Sequence, residues 1–323
     1  MQKQRLKNFD ISQYCTNFVL SEFLEPSSKM EKICCIGHIT RDKIVTPSST
    51  VYMAGGVAFY FSYAINHLPK LVDYTLVTKL ADEDRKSADE MVENGIKVTV
   101  FPSKQTVFFE NIYGENPDDR KQRVVAKSDQ FCIGEMDGIE AKIFHLGTLL
   151  SDDFSLDYVK SLSQRGRISI DAQGFLREVR GEKVYPVDWA EKKEWLKYID
   201  IIKVNEMEMA VLTGEEDPRK AASILASWGP TEVLVTLGSL GSLILHNGEF
   251  VEVPPYKAEK VVDATGCGDT YMAGYLYCRA QDKSPREAGC FAAAMCTLKL
   301  AHNGPFSGTI EDIKEICKGD IAF

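Results

Sequence analysis

The sequence predicts an α/β fold: a mainly parallel central sheet with helices on both faces, and a small lid of β-strands. Three observations carry that expectation. From residue 141 onward, short runs of Val, Ile and Leu alternate with longer amphipathic runs, the pattern of strands joined by helical crossovers. Over residues 97–126, strand-like runs follow one another in quick succession. Near the C-terminal end, a glycine-rich turn, Asp263-Ala264-Thr265-Gly266-Cys267-Gly268-Asp269, leads into an apolar helical run.

Composition bounds the possibilities. At 323 residues, 44% hydrophobic and 26% charged, the chain can bury a large core as a globular protein. A net charge of −9 argues against a nucleic-acid partner, which needs a basic surface. Any anion site must therefore be local. The nine cysteines include no Cys-x-x-Cys pair and the five histidines are scattered, which argues against a structural zinc site. No signal peptide is visible and no apolar run is long enough to span a bilayer, so the expectation is a cytoplasmic protein with no membrane partner.

In chain order, residues 1–29 read as an N-terminal appendage and 30–323 as the main domain. Val19, Leu20, Phe23 and Leu24 suggest a short amphipathic helix closed by Glu25-Pro26-Ser27-Ser28. Ile33–Gly37 is the first buried strand, and His38–Asp42 a loop. Val45–Ala54 is β-branched and polar, and closes on Gly55-Gly56 before a helix over Val57–Leu68. A strand follows at Tyr74–Thr78 and a helix at Asp84–Asn94. Strands at Lys97–Phe101, Thr106–Tyr113 and Gln122–Ala126, with residues from about 43 to 54, form the expected lid, which spans about 43–54 and 97–127, with pairing of Lys97–Phe101 elsewhere as the alternative. Arg120, Lys121 and Arg123 lie there, and a solvated turn is the plain alternative for such a charge run. Further strands are Lys142–Leu146, Ile168–Asp171, Ile199–Val204, Glu232–Leu237 and Leu243–His246. Helices are expected at Phe154–Gln164, Trp189–Tyr198, Glu206–Leu212, Pro218–Ser227 and Pro285–Leu300. Val261-Val262 reads as a short strand that feeds the glycine-rich turn.

In sheets of this kind, ligands bind at the carboxyl ends of strands. Polar residues gather there: Asp42, then Asp171 and Gln173, Asn205 and Glu208, Thr236 and Gly238, and Asp269. The glycines let the backbone approach a ligand, and free N–H groups at the following helix start favour an anion. A carboxylate in that turn suits a proton acceptor for an attacking hydroxyl. The alternative is that Asp269 only caps the helix. Cys267 is either a thiol activated by the helix terminus or a passive small side chain.

These motifs, in this order, resemble the ribokinase-like (PfkB) carbohydrate kinases over about residues 31–320. Asp263–Asp269 is similar to that family's C-terminal signature, Gly55-Gly56 to its N-terminal di-glycine, Asn205–Glu208 to its Asn-x-x-Glu motif, and Thr236-Leu237-Gly238 with Gly241 to its nucleotide-binding turn. Asp42 stands where the family has a substrate-binding acid. The resemblance implies a ribokinase-like three-layer α/β/α sandwich with a lid. It implies ATP- and Mg2+-dependent phosphorylation of a hydroxyl on a small polyol, sugar or nucleoside. Asp269 would be the base, and the N–H groups of Gly266, Cys267 and Gly268 the anion hole. Asn205 and Glu208 would lie near the magnesium nucleotide, with Glu208 acting on Mg2+ through water. Thr236, Gly238 and Gly241 would border the nucleotide. Asp42, Gly55 and Gly56 would hold the acceptor. A monovalent cation, K+, would sit at Asp263 and Thr265, completed by Gly304 and Ser307.

Departures bear on the acceptor. Tyr60 replaces the asparagine of ribokinases proper, which suits a more apolar ring face or cyclitol, or simply packs the helix. Phe108–Tyr113 with Arg120–Arg123, and Asp171–Arg177, resemble the inositol- and nucleoside-kinase branch. That places Glu110, Asn111, Arg123, Gln173 and Arg177 as acceptor contacts. Two alternatives keep the fold: a hydroxymethyl-pyrimidine or pyridoxal type kinase, and a non-catalytic ligand-binding protein. Proteins cover or blunt unpaired strand edges, and a homodimer through the lid, as in relatives, is one way to do so.

Overall fold

The central strand forms because its sequence is apolar on both sides. In the computed structural model, which describes residues 30–114 and 120–321, Ile33 and Cys35 face one hydrophobic core and Cys34 and Ile36 the other, as strand alternation requires. The appendage assigned to residues 1–29 lies outside the described residues.

The elements run in the order β1 (Lys32–Gly37), β2 (Thr40–Thr46), β3 (Ser49–Gly55), α1 (Val57–Asn66), β4 (Asp73–Leu80), α2 (Arg85–Glu93), β5 (Val98–Pro102), β6 (Phe108–Tyr113), β7 (Arg120–Ala126), β8 (Ile143–Gly147), α3 (Leu156–Ser163) and β9 (Arg167–Asp171). They continue with β10 (Arg177–Arg180), β11 (Lys183–Pro186), α4 (Lys192–Trp195), β12 (Ile201–Asn205), α5 (Glu206–Thr213), α6 (Pro218–Ser227), β13 (Glu232–Thr236), β14 (Ser242–His246), β15 (Glu249–Val253), α7 (Cys267–Ala280), α8 (Pro285–Leu300) and α9 (Ile310–Ile316). Nine strands make the main sheet in the order β15-β14-β13-β12-β9-β8-β1-β4-β5. It is parallel except for the β13–β14–β15 meander. Helices cover both faces, so the fold is the expected α/β/α sandwich.

Six strands make the second sheet, in the order β10-β11-β7-β6-β2-β3, antiparallel but for the β2–β6 pair. Its membership corrects the sequence reading twice. Val98–Pro102, assigned to the lid, pairs with β4 at the edge of the main sheet. The β10–β11 hairpin, read as no strand at all, takes a place in the second sheet beside β7. Phe109 and Val124 from this sheet pack on Val57, Leu149 and Leu150 of the body.

Two local readings also change. Asp42 lies within β2 rather than in a loop. Val261 and Val262 form no strand. The Val262 N–H is held instead by Leu300 O, at 2.7 Å.

α7 is enclosed on all sides, with every residue from Thr270 to Cys278 buried between the sheet, α1 and α8. At the opposite end from the turn, Tyr275 donates to the buried Glu232 carboxylate at 2.6 Å, which Arg167 (2.6 Å) and Arg279 (2.9 Å) also bind. Burial alone would raise the Glu232 pKa. The Arg279 hydrogen bonds, the Arg167 charge and the Tyr275 hydroxyl outweigh it and bring the carboxyl down to about 2.

Candidate active site

The glycine-rich turn is built from its own backbone outward. Asp263 Oδ1 accepts the Thr265 N–H at 2.9 Å. Gly266 then takes a left-handed conformation, φ 75°, as the N-cap of α7, and its carbonyl accepts the Thr270 N–H at 2.9 Å. The Cys267 N–H, expected in an anion hole, donates to Ala264 O at 3.2 Å. Among the described residues no backbone acceptor engages the Gly266 or Gly268 N–H.

Two side chains reach this turn where glycine leaves room. A Cβ on Gly266 would lie 2.3 Å from Tyr60 Cδ1, and one on Gly268 would lie 2.9 Å from Lys203 Nζ. Lys203, on β12, is only 5% exposed and donates to Asp171 Oδ2 at 2.6 Å. Burial opposes its charge, but Asp171 and then Glu208 prevail and raise its pKa, so it stays an ammonium. Sequence reading missed Lys203. A charged residue inside the apolar run Ile201–Val204 was the available signal, because an unpaired charge does not sit in a buried strand.

Asp269 stands in the first turn of α7. Burial, reinforced by the Asp171 charge, pushes its carboxyl up to about 7, with Lys203 and Arg177 working against the rise. No side chain among the described residues hydrogen-bonds its carboxylate. Such a group changes protonation near neutrality, as a proton acceptor needs.

Toward β12 and β13 lies a groove of about 830 Å³ whose lining includes Asn205, Thr236, Gly238, Gly241, Cys267 and Gly268. Asn205 and Glu208 form a reciprocal cap on α5: Asn205 Oδ1 accepts the Glu208 N–H at 2.9 Å, and Glu208 Oε2 accepts the Asn205 N–H at 2.8 Å. Burial and the Asp171 charge raise the Glu208 carboxyl above its ordinary range. Glu208 thus has a structural role whatever else it does. No cluster of three or more His, Cys, Asp or Glu that could hold a metal ion occurs among the described residues.

Toward the second sheet, Asp42 accepts from Thr40 Oγ1 at 2.7 Å. Its other oxygen lies 2.5 Å from where a Gly55 Cβ would be, so a side chain at Gly55 would displace the Asp42 carboxylate. Burial pushes the Asp42 carboxyl up to about 6, against the Thr40 hydrogen bond. Gly56 precedes α1 at φ 88°. The register pairs Asp42 with Phe109 and Ile44 with Asn111, which puts Asp42 and Asn111 on one face of the sheet. Gln122 donates to Asn111 Oδ1 at 3.0 Å. Glu110 and Arg123 fall on the other face, in an ion-pair cluster with Lys43 and Glu182. They do not join Asp42, because a strand sends neighbouring side chains to opposite sides. The Gln173 N–H donates to Asp171 Oδ1 at 3.1 Å, and Arg177 stands within electrostatic reach of Asp269 and Glu208.

Two sequence readings lose their basis. Burial raises the Cys267 thiol to about 11, so it is not an activated nucleophile. The Asp263 oxygens assigned to a monovalent cation are held by the Lys299 ammonium, at 2.9 Å from Asp263 O and 3.2 Å from Asp263 Oδ2. Gly304 and Ser307 make no hydrogen bond to Asp263 or Thr265 among the described residues.

Comparison with known proteins bears on the family and the fold. The family described as pfkB family carbohydrate kinase matches residues 126–311. A cytidine kinase of Thermococcus kodakarensis is 28% identical over 260 residues, covering 76% of this chain and 88% of the relative. A pyrophosphate-dependent kinase in the ribokinase family, solved with a pyrophosphate analog and myo-inositol, superposes with a TM-score of 0.78 at 30% identity, over 88% of this chain and 100% of its own. Arabidopsis thaliana ribokinase, solved with ribose and ATP, shares the fold with a TM-score of 0.73 at 20% identity, over 90% of this chain and 99% of its own. No helix among the described residues is long and apolar enough to cross a membrane.

Proposed function

This chain belongs to the pfkB family of carbohydrate kinases and is a phosphotransferase acting on a hydroxyl group, and from that premise we propose that it phosphorylates a small cyclic polyol, sugar or nucleoside with ATP, using Asp269 as the base. The observation that carries this reading is that Lys203, on β12, brings its ammonium up against Gly268 and within electrostatic reach of Asp269 in the first turn of α7. Asp42 and Asn111 hold the acceptor on the side of the second sheet, which acts as the lid of the domain 30–323. The acceptor oxygen attacks the phosphorus and its proton passes to Asp269. The bond from phosphorus to the leaving phosphate breaks, and its electron pair goes to that leaving group. The Gly266 and Gly268 N–H groups and the Lys203 ammonium face the charge on the phosphoryl oxygens.

The residues present suit a magnesium nucleotide. After burial, the Asp171 charge is what raises the Glu208 and Asp269 carboxyls, a repulsion that a cation brought in with the nucleotide would relieve. When bound, Mg2+ neutralises phosphate oxygens, and Glu208 would hold it through its water shell.

The pyrophosphate-dependent relative favours a second reading, in which the donor is inorganic. The groove speaks for a nucleotide. Val261, Ala264, Ala293 and Leu300 line it, and Met207 and Val261 at its rim are 80% and 74% exposed. Such an apolar wall suits a purine base and offers nothing to a small polyanion. For the acceptor, the cytidine kinase and the myo-inositol complex both support a ring.

The test is turnover with Mg2+ and either ATP or pyrophosphate. The acceptors are myo-inositol, ribose, fructose, fructose 6-phosphate, 2-keto-3-deoxygluconate, adenosine, inosine and cytidine. One strong acceptor with ATP, lost in Asp269→Asn, is expected. Turnover with pyrophosphate alone overturns the donor assignment. Tight ATP binding with no acceptor turned over moves the reading to a ligand-binding protein.

A further inference from the structure

Lys299 sits in the last turn of α8 and is 1% exposed. Its Nζ lies 2.9 Å from Asp263 O, 3.2 Å from Asp263 Oδ2 and 3.3 Å from His302 O. An ammonium has three N–H donors, and these three oxygens satisfy them. The site also lies at the C-terminal end of α8, where the helix dipole favours a positive charge. Two backbone carbonyls and a carboxylate are equally the oxygen set that a hard cation takes. A metal ion would compete with Lys299 for the same oxygens and be repelled by its charge.

The connection to the anion turn is short. Lys299 holds Asp263, and Asp263 Oδ1 accepts the Thr265 N–H, one residue before Gly266. Leu300 O fixes the same segment through the Val262 N–H. Neutralising Lys299 would leave a half-buried carboxylate and two carbonyls without their cation, directly beside the phosphoryl site.

We propose that Lys299 is a built-in cation that takes the place of a monovalent metal ion, so that this enzyme works without K+. Lys299 is a positioning residue: it acts on the phosphoryl group through the Asp263–Gly266 turn. Its effect on turnover rests on the kinase reading; its effect on the turn does not.

The experiment compares KCl with tetramethylammonium chloride at equal ionic strength, for the wild type and Lys299→Met. Turnover, MgATP affinity without acceptor, and the thermal midpoint are measured. The wild type is expected to give the same values in both salts. Lys299→Met is expected to lose about 10²-fold in turnover in tetramethylammonium, and to regain activity and thermal midpoint with K+ or NH4+, which are small enough to reach the vacated oxygens. A wild type stimulated by K+ overturns the proposal, as does a Lys299→Met protein unchanged in tetramethylammonium. If no acceptor is phosphorylated in any salt, the kinase reading fails, while the salt dependence of the thermal midpoint still decides the role of Lys299. Where Lys299→Met does not fold, the wild-type comparison decides it.

Discussion

Tyr60 fills the space that a side chain on Gly266 would need: a Cβ there would come within 2.3 Å of its ring. The helix that follows Gly55-Gly56 is thereby in direct contact with the glycine-rich turn. Gly266→Ala would also strain a backbone at φ 75°. Turnover of Gly266→Ala is expected to fall at least about 10²-fold in a folded protein. Tyr60→Ala should recover part of that loss, as a double-mutant cycle with positive coupling between the two sites. Additive effects would show that the contact carries no coupling.

Asp269→Asn is expected to lower turnover about 10²–10⁴-fold. In the wild type, activity should rise with pH through about 7 as the carboxyl ionises. The stability effect has the opposite sign. A folded pKa above the unfolded value means that the native state binds more protons, so this carboxylate costs stability above pH 7 and less as pH falls toward 4. Asp269→Asn should therefore melt higher than wild type at pH 8, with the gap closing in acid. Calorimetry across that range checks it.

Lys203→Met removes the charge that opposes the rise of the Asp269 pKa. The acid limb of the rate profile should move to higher pH, and turnover should drop by about 10²-fold or more. Lys203→Arg keeps the charge and should restore the position of the limb. Gly268→Ala, whose Cβ would crowd Nζ at 2.9 Å, should move the limb in the same direction as Lys203→Met. A loss of rate with an unshifted profile would assign Lys203 to packing alone.

Glu232 tests the fold independently of chemistry. Its folded pKa of about 2 lies below the ordinary carboxylate value, so the unfolded chain takes the proton first. The stabilisation is complete above the unfolded pKa and is lost as pH falls through it toward 2. Glu232→Ala leaves Arg167 and Arg279 without their common partner and is expected to cost about 3–5 kcal/mol, read by denaturant unfolding.

Much of this architecture was legible in the sequence. The βα rhythm and the Pro285–Leu300 helix follow from local periodicity, and DATGCGD announced a turn that folds as a turn. What escaped depends on partners distant in sequence. Val98–Pro102 has the pattern of a lid strand and Arg177–Pro186 shows no strand pattern, and only the sheet edge available to each decides where it pairs. Glu110 and Arg123 looked like site residues until the strand register turned them away from Asp42. Lys203 and Lys299 were hidden for a related reason. Each is a buried lysine whose meaning lies in carboxylates 32 and 36 residues away along the chain. Composition and spacing record charge, but not which charges meet.

The enclosure of α7 sets how the enzyme must fail. The body of α7, Thr270 to Cys278, is buried on every side and cannot loosen alone, so the helix that the glycine-rich turn feeds stays anchored for as long as the core persists. The proposed site is then anchored on a protected helix, although the turn itself reaches the surface at Ala264 and Thr265. Rising urea should abolish donor binding and the near-ultraviolet signal of Tyr271 and Tyr275 in a single transition, with no window in which a folded but inactive protein accumulates.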